Sequence, residues 1–375
     1  MKKILITSIA ILFSLSACHD DDYITGLRSP GNEDDSSEMA ERVEGRVAIS
    51  YVTYYGTTIP NPTYLTHINY AFAELYFKDG KYEKFDLQGN RARFDQIKKL
   101  KEKYNHLKIT LSFTNTVSNP DNTIHGGFSA LCKSPEMRKK FAEDCKAFVK
   151  EEGIDGIDID WEFPGMTFGS NAFDAEVDVD NFTLLMKDLR ETLNKSTELT
   201  YAGYCMNVRE GAEGGRKYID AAAVAPYVDF INIMTYDMAD APGHQSAISR
   251  PDLYWDCQRS INDYAKAGVP YNKLVLGIPF YGRNNFASGG AINYRDILKL
   301  NKDEGYIIDN WDDTGKVPYV SKNGQFYCGY DNPQSIAIKG EWILGLGMKG
   351  MMCWDYEGDD DNGTLRRAVW NAVMQ

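Results

Sequence analysis

Alternating strand and helix signals predict an α/β chain folded as a (β/α)8 barrel, with a small α+β insertion between strands seven and eight. Three observations carry this expectation. Short apolar runs recur too far apart for hairpins, amphipathic patterns of helical period lie between them, and the gap before the last run is too long for one helix. The competing reading is an open doubly wound sheet. Its dinucleotide-binding form lacks support, because Gly56, after the first run, is followed by Thr57 and Thr58 rather than by further glycines.

The strand candidates are residues 47–51, 67–72, 107–113, 154–162, 199–206, 228–236, 274–280 and 350–354. Helical patterns cover 94–104, 134–152, 179–193 and 252–267, the second opening on Ser134 as N-cap and Pro135 in the first turn. Between Arg283 and Gly350, a short helix over 294–300 and strands over 317–320 and 325–330 define the insertion, about 284–340. No repeat of 20–50 residues is evident.

Ahead of the barrel lies a targeting segment. Lys2 and Lys3 precede an apolar stretch, 4–15, too short to span a bilayer comfortably. It ends in Leu15, Ser16, Ala17 and Cys18, which resembles a bacterial lipobox with Cys18 as the lipidated first residue of the mature chain; an ordinary signal peptide is the alternative. The expected organisation is a signal peptide over 1–17, an acidic linker over 18–44 and the barrel over 45–375. Between Asp20 and Glu44, nine acids face only Arg28 and Arg42, which fits a solvated tether. A membrane-anchored protein of the cell envelope is expected, and Asp20, Asp21 and Asp22 point to the outer-membrane surface.

A formal net charge of −13 argues against a nucleic-acid partner. Beyond Cys18, the cysteines 132, 145, 205, 257, 328 and 353 show no CxxC spacing, and the histidines are scattered, so neither a metal site nor a cofactor is expected. Cys205 and Cys353 sit in apolar runs and read as buried free thiols. A monomer is expected.

The fourth strand candidate carries the chemistry. Side chains alternate faces along a strand, so Asp158, Asp160 and Glu162 share one face and Ile157, Ile159 and Trp161 the other. Both faces of a barrel strand are normally buried, and three buried acids are unfavourable unless paired, protonated or in use. Their mutual repulsion keeps at least one protonated near neutral pH. Glu162 comes last, before Phe163 and Pro164, at the C-terminal mouth where barrel enzymes hold their chemistry. A protonated carboxyl there suits a glycosidase general acid. The alternative, an edge strand with a solvated acidic face, conflicts with the flanking isoleucines.

With Asp155, Gly156, Asp158, Asp160 and Glu162 the chain completes the pattern DGxDxDxE and resembles glycoside hydrolase family 18, the chitinase family. Further stretches are similar in order: Tyr51 and 65–72 (strands one and two), Met234 to Asp237 (strand six), 279–283 (strand seven) and 350–354 (strand eight). The resemblance implies a retaining mechanism in which the substrate's own 2-acetamido group attacks the anomeric carbon. In it Glu162 protonates the glycosidic oxygen, Asp160 orients the acetamido N–H, and Tyr236 binds the acetamido oxygen. Asp158, with Tyr51 and Ser112, adjusts the charge on Asp160. Met234, Asp237, Arg283 and Phe72 would line the sugar site, and Trp354 would stack under the reacting ring.

Two departures bear on substrate. The family's SxGG pattern in strand three reads Ser112, Phe113, Thr114, Asn115, and none of the six tryptophans follows strand three or the strand-six motif, at 116–118 or 239–243. The expected substrate is therefore a soluble β-1,4-linked N-acetylglucosamine (GlcNAc) oligomer rather than crystalline chitin. An endo-β-N-acetylglucosaminidase acting on N-glycan cores is the alternative. A lectin on the same scaffold is a third reading, disfavoured because Glu162 is present.

Overall fold

The computed structural model describes residues 41–115, 127–166, 172–206, 208–209, 216–285 and 288–375. The expectations for the signal peptide, for Cys18, for most of the linker and for the stretch 116–118 lie outside these residues.

Eight parallel strands close on themselves. They are β1 (Val47–Thr53), β2 (His67–Lys78), β4 (Lys108–Thr114), β5 (Gly156–Asp160), β6 (Glu198–Tyr204), β9 (Phe230–Met234), β10 (Leu274–Pro279) and β16 (Gly350–Trp354), and β1 pairs with both β2 and β16. All eight coincide with the expected apolar runs. The helices α1 (Arg91–Lys103), α3 (Pro135–Glu152), α4 (Asp178–Thr192) and α6 (Cys257–Lys266) fill the expected gaps. For α3 the start and stop are set locally: the Ser134 hydroxyl accepts from the Met137 N–H, and Gly153 closes the helix at φ 64°.

Several elements escaped the sequence reading. β2 runs on past the barrel and folds back as β3 (Lys81–Leu87), an antiparallel hairpin whose turn is Asp79 and Gly80, both at positive φ. An Asp-Gly pair is the favoured chemistry for such a turn, so the signal was present. Short helices α2 (Gly127–Cys132) and α5 (Ala221–Val224), and a two-residue hairpin of β7 (Val208–Arg209) with β8 (Arg216–Lys217), complete the loops.

The insertion is a five-stranded antiparallel sheet in the order β12-β11-β15-β14-β13. It comprises β11 (Tyr281–Asn285), β12 (Gly290–Asn293), β13 (Tyr306–Asp312), β14 (Val317–Lys322) and β15 (Gln325–Gly329), with α7 (Tyr294–Ile297) inside it. It is narrower than the expected 284–340 at its C-terminal side. Residues Pro333–Gly345 form α8, a barrel helix that starts in a capping box at Asn332 and Ser335 and packs on α9 (Thr364–Val373) and β16.

Among the described residues the buried apolar side chains form two cores, as barrel geometry requires. Ile157, Ile159 and Trp161 point outward into the larger one, between strands and helices. The smaller one fills the barrel interior with Val47, Ile49, Tyr51, Ala71, Phe230, Tyr236, Val275 and Met352. At the base of the barrel Glu198 accepts from the His67 ring at 2.9 Å and pairs with Lys108. Burial alone would raise the Glu198 carboxyl, but His67 and Lys108 outweigh it and bring it down to about 2. A depressed carboxyl stabilises the fold above its unfolded pKa, and that stability is lost as pH falls towards 2. Glu198→Gln is therefore expected to lower stability at pH 7 by roughly 2–3 kcal/mol. Urea melts should show the deficit shrinking below pH 4; a deficit independent of pH would remove the ionic explanation.

Candidate active site

β5 delivers its acids to the barrel interior because its other face is taken by isoleucine. Asp158 is wholly buried and Asp160 nearly so, while Glu162, two residues past the strand's end, is half-buried at the mouth. Asp158 accepts on Oδ2 from Tyr51 Oη and Ser112 Oγ, both at 2.8 Å. On Oδ1 it accepts from Thr200 Oγ1 at 2.6 Å and Asn232 Nδ2 at 3.3 Å. Asp160 hydrogen-bonds to Glu162, and its Oδ1 has no partner among the described residues.

Protonation follows from this stacking. Burial pushes Asp160 well above the usual carboxylate range, and the charges of Glu162 and Asp158 push it further. Glu162 is pushed up to about 7, first by burial and then by the Asp237 charge, with the hydrogen bond from Asp160 opposing. Asp160 and Glu162 therefore titrate as one pair that holds a proton at neutral pH. Tyr51 and Tyr236 are raised by burial and stay neutral donors.

Asp237 leaves β9 in a left-handed conformation, φ 56°, which an aspartate tolerates better than most residues. Its carboxylate takes a bidentate pair from Arg283 of β11, Nε and Nη2 each at 2.8 Å. Gln245, buried, ties this corner together: Nε2 donates to the Tyr281 carbonyl at 2.8 Å, and Oε1 accepts from the Asp237 N–H at 3.4 Å. Tyr236 lies over Gly277, where a Cβ would sit 2.9 Å from its ring and 2.5 Å from the Ile233 carbonyl; only glycine allows this approach. Trp354 closes the opposite side, 5.7 Å from the stacked ring of Phe72 and 5.5 Å from Tyr51. Met234 packs on the same interior cluster. The residues read from sequence for the sugar site thus lie together, from Asp158, Tyr51 and Ser112 inside the barrel up to Glu162 at its C-terminal mouth; Cys18 lies outside the described residues.

The family model for glycosyl hydrolases family 18 matches residues 47–359. The chain belongs to that family. It is 30% identical over 279 residues to an endochitinase of Manduca sexta, covering 63% of this chain and 48% of that protein. It is 27% identical over 402 residues to chitinase A1 of Niallia circulans, covering 85% of this chain and 56% of the other. It thus spans about half the length of these curated relatives. Among solved structures it is similar to a family 18 N-acetylglucosaminidase from Paenibacillus barengoltzii, with a TM-score of 0.72, 26% identity, and coverage of 88% of this chain and 100% of that one.

Within this family-18 site, three partners went unread in the sequence: Thr200, Asn232 and Gln245. Thr200 and Asn232 had a signal, being polar residues inside apolar strand runs. Gln245 had none, because it acts across a loop. Asn115, which stands where the family pattern has its last glycine, is buried, and its Oδ1 accepts from the Phe128 N–H at 3.2 Å, holding the start of α2. Trp161, Trp255 and Trp370 are buried core residues, whereas Trp354 packs on the interior cluster beside Tyr51, whose hydroxyl binds Asp158.

The Asp237 charge raises Glu162, so Asp237→Asn is expected to lower the pH at which the site loses its proton. The basic limb of kcat/KM should move to lower pH by roughly half a unit to one unit. An unmoved limb would break the electrostatic link between the two residues.

Proposed function

We propose that this chain is a retaining glycosidase that cleaves β-1,4-linked GlcNAc oligomers with assistance from the substrate's acetamido group. The observation that carries this reading is the Asp160–Glu162 pair. The pair, with Glu162 at the mouth, holds a proton near neutral pH, and within it a buried carboxyl oxygen, Asp160 Oδ1, lacks any donor among the described residues. The first is fitted to protonate a leaving oxygen, and the second to accept an amide N–H.

In this reading a GlcNAc ring stacks on Trp354, its apolar C–H face against the indole. Glu162 gives its proton to the glycosidic oxygen as the C–O bond breaks. The acetamido oxygen attacks the anomeric carbon, Asp160 takes the acetamido N–H, and Tyr236 donates to the acetamido oxygen. Water, deprotonated by Glu162, then opens the oxazolinium ion and returns the anomeric configuration. Charge developing on the ring is met by fixed groups in a water-poor site. Cys18 as a lipid anchor, with the acidic segment as tether, would hold the barrel at the cell envelope.

The test is product analysis on chitotetraose, an N-glycopeptide and a crystalline chitin suspension. Soluble chitooligosaccharide is expected to be cut much faster than the crystal, since no tryptophan follows strand three or the strand-six motif to replace the contacts of a packed chain. Cleavage confined to the GlcNAc–GlcNAc core of the glycopeptide would redirect the substrate to N-glycans. Hydrolysis of none of them would sink the glycosidase reading.

A further inference from the structure

Asp158 is fully enclosed, yet among the described residues neither lysine nor arginine hydrogen-bonds to it. Its partners are four neutral donors, two on each oxygen. The strand register explains the placement. Ser112 of β4 and Thr200 of β6 are the residues paired with Asp158 on either side, and both carry hydroxyls. Asn232 reaches in from β9, where it also meets Tyr51 Oη at 3.4 Å. The groups facing Asp158 are therefore Tyr51 from β1, Ser112 from β4, Thr200 from β6, Asn232 from β9 with Tyr236 just beyond it, and Asp160 and Glu162 on its own segment. Of these, only Asp160 and Glu162 are carboxyls, both raised by burial and tied to each other by a hydrogen bond.

We propose that Thr200 and Asn232 are positioning residues that complete a cage holding Asp158 as a carboxylate, so that the site's proton resides on the Asp160–Glu162 pair above it. The inference rests on the glycosidase reading and deepens it. Tyr51 and Ser112 satisfy one oxygen only. Without Thr200, Oδ1 keeps a single long contact to Asn232, and a buried carboxylate so exposed to its own desolvation takes up a proton. Burial raises Asp158, and the Thr200 hydroxyl supplies the largest opposing effect, ahead of Tyr51, Ser112 and Asn232. An Asp158 that protonates no longer repels negative charge from Asp160, and the pair loses hold of the proton that Glu162 must deliver.

The experiment compares wild type, Thr200→Val and Thr200→Ser. Valine keeps the shape and removes the donor; serine keeps the donor. On chitotetraose, Thr200→Val is expected to move the acid limb of kcat/KM up by about one pH unit, because one hydrogen bond to an ion is worth about tenfold in its proton affinity. KM should stay within about twofold, and Thr200→Ser should restore the wild-type profile. In parallel, pH-difference infrared spectra, with Asp158→Asn identifying the Asp158 band, should show that carboxyl titrating at higher pH in Thr200→Val. Should the valine variant fail to fold, Asn232→Ala, which removes the second donor to the same oxygen, offers the same comparison. A folded variant whose Asp158 band is unmoved, or whose rate drops equally at every pH, overturns the proposal. A wild type inert on every GlcNAc substrate defeats the glycosidase reading instead, and the infrared titration still decides the cage.

Discussion

Glu162→Gln is expected to lower turnover of chitotetraose by at least about 10³-fold while leaving binding within a few-fold. Glutamine matches the side chain in size and can hydrogen-bond, but it has no acidic proton for the departing oxygen. The loss should shrink on an aryl glycoside whose phenolate leaves without protonation, and that contrast separates a general acid from a residue that merely shapes the site. Turnover within tenfold of wild type on the natural linkage would take Glu162 out of the acid role. The same variant carries a stability signature. Glu162 is pushed up to about 7, so the folded state binds its proton more tightly than the unfolded chain does. That contribution is full below the unfolded pKa and is lost as pH rises through about 7. The melting temperature of Glu162→Gln should therefore gain on wild type between pH 5 and pH 8. No gain would mean that Glu162 is better solvated than its neighbours suggest.

Deacetylating the reacting sugar is expected to have a comparable effect. With glucosamine in place of GlcNAc at the cleavage position, hydrolysis should fall by at least about 10⁴-fold, because the nucleophile is lost along with its intramolecular advantage. A thiazoline analogue of the cyclic intermediate should bind at least about 10²-fold more tightly than the parent disaccharide. Fast hydrolysis of the deacetylated substrate would require a nucleophile on the enzyme. Asp160 is the acid beside Glu162, and Asp160→Asn would then trap no covalent sugar, whereas the unsubstituted enzyme would.

How far the site could be read in advance depended on whether a residue's role is local. Along one strand the period of two is dictated by the backbone, so the division of Asp158, Asp160 and Glu162 from Ile157, Ile159 and Trp161 was visible before any fold was known. The closing turn at Asp79 and Gly80 was also local and could have been read. The insertion's end at Gly329 was harder to see. Residues Pro333–Gly345 look like a continuation until α8 is seen to pack on α9 and β16.

The sequence by itself determined the barrel strands, the face on which the acids stand and the order of acids towards the mouth, because these follow from periodicity within short segments. Tertiary structure alone decided what each acid faces. Thr200 and Asn232 come to Asp158 through the register of neighbouring strands, and Arg283 reaches Asp237 from the inserted sheet. Asn115, polar in sequence, is spent on the start of a helix rather than on a ligand. The physical reason is that proton affinities are set by burial and by charges within a few ångströms. Those distances exist only once strands far apart in the chain have closed into a barrel.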